Sequence, residues 1–219
     1  ALNNEGVRLY EQGRLEEAKD YFQQCIDEMF ELTVQIKQDK SKTPEEGSES
    51  QRENNSSHHQ RPKHSPIQGW SKPLQYTKRP GEGVFIFSRA IILRDLKLSD
   101  KSASLQLGDV SLYKLAILYN KALTHHQIAC ITVKSKYYSQ DADMAFHLYE
   151  QAFQCCKSEI NQGFHGTTHR GILMLALFNN VGVIFCNDLA RFHDALECFK
   201  ASCGVVLSMD LSRLSRKLD

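Results

Sequence analysis

Near its two ends the chain opens a segment in the same way, as Leu2-Asn-Asn-Glu-Gly-Val-Arg-Leu9 and as Phe178-Asn-Asn-Val-Gly-Val-Ile-Phe185. The agreement continues downstream. Asn4, Gly6 and Leu9 are followed by Ala18, Phe22 and Cys25; Asn180, Gly182 and Phe185 are followed by Ala195, Phe199 and Ser202. The spacing from glycine to alanine differs by one residue, which the intervening turn absorbs. A looser copy lies between them, as Asn120, Ala122 and His125, then Ala145, Tyr149 and Ala152. A small residue followed by Ala-x-x-x-aromatic describes two antiparallel helices in contact. The small residue lets the second helix approach, the alanine faces it, and the ring fills the space beside them. A chain that repeats this unit is an array of helical hairpins.

The apolar spacing agrees. A first helix is expected over residues 2–12, stopping near Gly13, a suitable helix C-terminal residue. A second starts near Leu15 and carries Ala18, Phe22, Cys25, Ile26, Met29 and Ile36 as one stripe. Leu112, Leu115, Ala116, Tyr119, Ala122, Leu123, His126, Cys130 and Val133 mark a long helix, and Ala145, Leu148, Tyr149, Ala152 and Phe153 mark another over residues 141–160. Further helices are expected over 168–187 and 192–207, and Leu207, Leu211, Leu214 and Leu218 keep the helical spacing, suiting either a continuation of the last helix or a C-terminal capping helix. The middle hairpin has 11 more residues between Ala122 and Ala145 than the first has between Gly6 and Ala18. That is about three turns at roughly 3.6 residues per turn, so longer helices keep the same apolar face.

Between the first two hairpins the composition changes twice. From Gln38 to Pro66 there is no aliphatic, aromatic or cysteine residue, so residues 38–73 are expected to be a disordered polar linker that cannot offset its ordering entropy. Residues 74–104 carry apolar runs around Pro80-Gly-Glu-Gly83 and suit an extended segment or small β-hairpin, with 84–93 buried. Left exposed, such a run invites aggregation, so it is expected to pack along the helices, inside their groove. The domain reading is thus a first hairpin over 1–37, the linker over 38–73, the extended segment over 74–104, a second, elongated hairpin over 105–160, and a third hairpin with its cap over 161–219.

The pattern of Gly6, Ala18 and Phe22, of Ala122, Ala145 and Tyr149, and of Gly182, Ala195 and Phe199 resembles the tetratricopeptide repeat in irregular, degenerate copies. Leu2 stands at the family's usual tryptophan position, and the usual proline after the second helix is missing. The resemblance implies an all-α, right-handed superhelix whose first helices line a concave groove for a peptide or partner helix. The groove positions it implies are Asn3, Val7, Tyr10 and Glu11 in the first copy, Tyr119, Leu123, His126 and Gln127 in the middle copy, and Asn179, Val183, Cys186 and Asn187 in the last. No lysine or arginine stands among these twelve, which disfavours the family's chaperone-tail clamp, because a terminal carboxylate needs charge-assisted donors. The recurring Asn4, Asn120 and Asn180 read as hydrogen bonding that fixes the repeat.

Composition narrows the function. With 27 basic and 26 acidic residues the formal charge is +1, so no global field attracts nucleic acid or anionic membrane. No apolar run reaches the roughly 20 residues of a membrane span. Seven cysteines without a Cys-x-x-Cys pair suggest a reduced, intracellular setting, cytoplasmic or nuclear. The start at Ala1 and the helix-like end suggest a fragment, from which a targeting signal could have been lost. Enzyme signatures are missing. There is no Gly-x-Ser-x-Gly elbow or phosphate-binding loop; Cys25 and Cys198 sit at core spacings, and His165 and His169 stand four apart without a third ligand. The expectation is a protein-interaction scaffold without catalysis or cofactor. The alternatives are an RNA adaptor using Arg61, Lys63, Lys72, Lys78 and Arg79 around Trp70 and Tyr76, and a metal or catalytic site among His58, His59, His64, His125, His126, Cys155 and Cys156.

Overall fold

The computed structural model of the chain describes residues 2–42, 67–72, 87–94, 107–132, 138–160, 168–187 and 190–215. These form six helices, α1 (Leu2–Glu11), α2 (Leu15–Lys42), α3 (Leu107–Ile131), α4 (Tyr138–Ile160), α5 (Thr168–Asn187) and α6 (Phe192–Ser215), and two short strands, β1 (Ile67–Trp70) and β2 (Ile91–Leu93). Consecutive helices pair into the hairpins α1/α2, α3/α4 and α5/α6, which stack through α2 on α3 and α4 on α5.

The first and last hairpins are built alike in detail. A Cβ placed on Gly6 would meet the Phe22 ring at 2.7 Å, and one on Gly182 would meet the Phe199 ring at 2.7 Å. Each glycine costs helix propensity of about 1 kcal/mol, and in return the ring of the facing helix lies against its backbone. The turns correspond too. The Arg14 N–H closes on the Leu9 carbonyl at 3.0 Å and the Arg191 N–H on the Phe185 carbonyl at 2.8 Å, the second loop holding one extra residue. In both, the residue before the arginine is left-handed, Gly13 at φ 75° and Ala190 at φ 50°. The next helix then starts identically, with Ala18 N–H on Arg14 O and Ala195 N–H on Arg191 O, both at 3.0 Å.

Some boundaries move. Helix α2 continues to Lys42, beyond its apolar stripe, into residues that are mostly good helix formers. Strand β1 falls within the span read as polar linker; its Ile67 is buried, so apolar residues at that end find a place in the core. It pairs antiparallel with β2 in the register Ile67 to Leu93, Gly69 to Ile92 and Trp70 to Ile91, with an irregularity between Ile67 and Gly69. The expected hairpin strand before Pro80 lies outside the described residues. Helix α6 runs unbroken to Ser215, so of the two readings of the tail Leu207, Leu211 and Leu214 continue the last helix rather than begin a separate cap. Strand β2 packs on α1 and α3, and Ile67, Ala90, Ile91 and Leu93 are buried in the core that the helices share.

Candidate functional site: an asparagine ladder around an internal strand

Helices α1, α3 and α5, the first of each hairpin, turn one asparagine or an asparagine pair toward the extended segment 87–94. The contacts are paired. The side-chain amide of Asn180 accepts from Phe87 N–H at 2.8 Å and donates to Phe87 C=O at 3.2 Å. Asn120 accepts from Ile91 N–H at 2.6 Å and donates to Ile91 C=O at 2.9 Å. Asn4 accepts from Leu93 N–H at 3.0 Å and donates to Leu93 C=O at 2.8 Å. A carboxamide offers the same donor and acceptor as a peptide group, so each asparagine imitates one rung of a neighbouring strand. Residues 87, 91 and 93 share parity and therefore one edge of the extended chain. The other edge is also met, since Ala90 N–H donates to Ser71 Oγ at 2.8 Å, Ala90 C=O accepts from Ser71 N–H at 2.8 Å, and Ile92 faces Gly69.

Further donors support the ladder. Asn3 donates to Ile91 C=O at 3.0 Å and accepts from Asn120 at 2.9 Å, joining the rungs of α1 and α3. Tyr119 donates to Phe87 C=O at 3.1 Å, Tyr10 to Ser88 C=O at 3.1 Å and Tyr113 to Arg94 C=O at 2.8 Å. Asn180 also donates to Tyr149 Oη at 3.0 Å, which ties α4 to the ladder. Burial pushes the Tyr10, Tyr119 and Tyr149 hydroxyls well above the ordinary tyrosine range, so all three stay protonated, Tyr10 and Tyr119 as donors and Tyr149 as the acceptor of the Asn180 bond. Side chains complete the fit: Ala90 and Ile91 are fully buried, Leu93 nearly so, and Phe87 meets the edge of Trp70 with ring centres 5.3 Å apart.

Of the twelve groove positions implied by the sequence, Asn3, Val7, Tyr10, Tyr119, Leu123, His126, Gln127 and Val183 are buried, and Asn179 and Cys186 are half-buried. Glu11 is exposed and accepts from Lys72 N–H at 2.8 Å. The Asn187 side chain lies outside the described residues. The asparagines read as fixing the repeat, Asn4, Asn120 and Asn180, make the paired bonds to the segment's backbone, Asn3 adds its single bond to Ile91 C=O, and Asn179 donates to Asn180 Oδ1 at 3.2 Å. Their recurrence at one position of successive first helices was the available signal. Tyr113 and Tyr149 carried none, since an aromatic on an apolar stripe reads as core.

Elsewhere, His125 Nδ1 pairs with Asp141 Oδ1 at 2.7 Å beside a cleft of about 340 Å³ that Lys19 and Glu16 also line. Burial lowers the His125 pKa against the opposing pull of Asp141. His126 is buried without a partner for Nδ1, and burial alone lowers its pKa to about 4. Burial raises the Cys25 thiol to about 12 and also raises Cys155 and Cys198, so these thiols are protonated at neutral pH. Among the described residues no three His, Cys, Asp or Glu side chains group to hold a metal, and no helix is long and apolar enough to cross a membrane. Trp70 is half-buried against Phe87 and Tyr119. Arg61, Lys63, Tyr76, Lys78, Arg79, His58, His59, His64 and His165 lie outside the described residues, as do the side chains of His169 and Cys156.

Residues 1–27 match the family model described as Tetratricopeptide repeat, covering α1, its turn and the first half of α2. No curated protein and no solved structure matches the chain. The hairpin of residues 1–27 is thus similar to a tetratricopeptide repeat, and its glycine-to-phenylalanine packing recurs at Gly182 and Phe199, as irregular copies of such a repeat would have it.

Proposed function

We propose that this chain is a non-catalytic protein-interaction scaffold whose ladder face holds an extended polypeptide segment by its main chain. The observation that carries this reading is the set of paired bonds from Asn4, Asn120 and Asn180 to the backbone of residues 93, 91 and 87. Such pairs require a peptide backbone and no particular side chain at the rung, which is the chemistry of strand addition made with side chains. The absence of lysine and arginine from the groove positions fits a neutral, internal segment better than a free carboxylate terminus.

The test is selection of displayed random peptides on the full chain, with the Asn4→Ala, Asn120→Ala, Asn180→Ala triple variant as counter-target. The expected result is a set of peptides that bind the parent chain and lose at least tenfold in affinity for the triple variant. Peptides that bind a folded triple variant equally well, or no enrichment at all, would refute the reading.

A further inference from the structure

Each paired rung of Asn4, Asn120 and Asn180 ends on main-chain atoms of residues 87–94, and every non-proline residue offers those atoms. The asparagines therefore do not distinguish this chain's own segment from a foreign one. Discrimination falls to the few side chains that pack on the helices: Phe87, half-buried against Trp70, Ala90 and Ile91 with no exposed surface, and Leu93 at 3%. Arg89 and Arg94 are exposed and add nothing to the fit. The self-bound arrangement also leaves the buried Trp70 Nε1 donor without a partner, beside the Phe87 contact.

Resting on the scaffold reading above, we propose that residues 87–94 are an exchangeable internal occupant. The outside partner of this face is then an extended segment of another protein with the pattern aromatic-x-x-small-aliphatic-x-aliphatic. Proline is excluded at its first, fifth and seventh positions, where Asn180, Asn120 and Asn4 each accept a main-chain N–H. The internal copy sets the threshold for entry. A tethered segment competes at an effective concentration on the order of millimolar, so a partner must bind well or the internal copy must be weakened first.

The test uses a capped, fluorescent Phe-Ser-Arg-Ala-Ile-Ile-Leu-Arg peptide, a copy of residues 87–94, and the full chain. By anisotropy it is expected to bind Ile91→Asp at least tenfold more tightly than the parent chain, and the peptide with proline at its fifth position is expected to bind neither. In the parent chain, millimolar peptide is expected to speed hydrogen exchange of the Phe87, Ile91 and Leu93 amides at least fivefold while the α3 amides stay protected. That exchange measurement decides the matter alone if Ile91→Asp does not fold. Unchanged exchange at these three amides overturns the proposal. If the peptide still binds Ile91→Asp in an Asn120-dependent way, the scaffold reading stands and the internal segment is a fixed part of the core. If it binds neither form, both readings fall.

Discussion

Asn120 is the rung whose removal is most informative. It is fully buried and makes three side-chain bonds: it accepts from Ile91 N–H at 2.6 Å and donates to Ile91 C=O and Asn3 Oδ1, both at 2.9 Å. In Asn120→Ala the Ile91 carbonyl keeps its bond from Asn3 at 3.0 Å, whereas Ile91 N–H and Asn3 Oδ1 lose these partners. A buried polar group left unmet costs about 1–3 kcal/mol, so two cost about 4 kcal/mol together. For a chain of this size that corresponds to a fall in Tm of about 8–16 °C. Asn120→Asp should be worse: it retains the acceptor for Ile91 N–H but turns a second oxygen toward two acceptors and brings a charge into the core. Urea and thermal melts measure the loss, and hydrogen exchange locates it, because the Ile91 amide should exchange sooner than the amides of α3. An Asn120→Ala protein within about 1 kcal/mol of the parent, with Ile91 still protected, would refute the claim that these bonds hold the segment.

Three further outcomes follow from the packing and the buried histidine. Gly182→Ala places a Cβ 2.7 Å from the Phe199 ring and should cost about 1–3 kcal/mol in urea unfolding, although alanine is the better helix former. Ala190→Gly should stabilise by up to about 1 kcal/mol in the same assay, because a left-handed φ of 50° strains alanine and suits the glycine found at the matching Gly13. Finally, His126 resists protonation until about pH 4 in the folded chain, while the unfolded chain takes that proton near pH 6.5. Stability should therefore be lost as pH falls through that window, by about 3 kcal/mol from this residue. The lowered pKa of His125 acts in the same direction. His126→Phe should flatten the dependence, as read from urea midpoints between pH 7 and 4.

The helical hairpins were legible because their rule is local: Gly6 with Phe22 and Gly182 with Phe199 are spacings within one unit, and helix periodicity surrounds them. The need to bury the apolar run was legible too for Ala90, Ile91 and Leu93, whereas residues 84–86 lie outside the described residues and Arg89 is exposed. Its strand neighbour was not, since Ile67 and Trp70 stand far from Ile91 in the sequence and next to a polar tract that hides them. The role of Asn120 was hidden for a different reason. One amide can fix a helix to its neighbour or read a strand, and only the position of the strand distinguishes the two. Here it does both, bonding Ile91 and Asn3 at once. The helix end at Lys42 escaped because no apolar spacing in the sequence marks where that helix stops.

An array of stacked hairpins is close to one-dimensional: each unit touches only its neighbours, and such arrays can lose stability piece by piece. The segment 87–94 breaks that rule, because it is bonded to Asn4 in the first hairpin, Asn120 in the second and Asn180 in the third. The consequence lies in folding. Hairpins close through short loops and form early, whereas the segment must find partners up to 93 residues away, so its docking comes late and couples all three units. The chain should accordingly unfold in one cooperative step, and cutting that coupling should turn the single transition into a graded one.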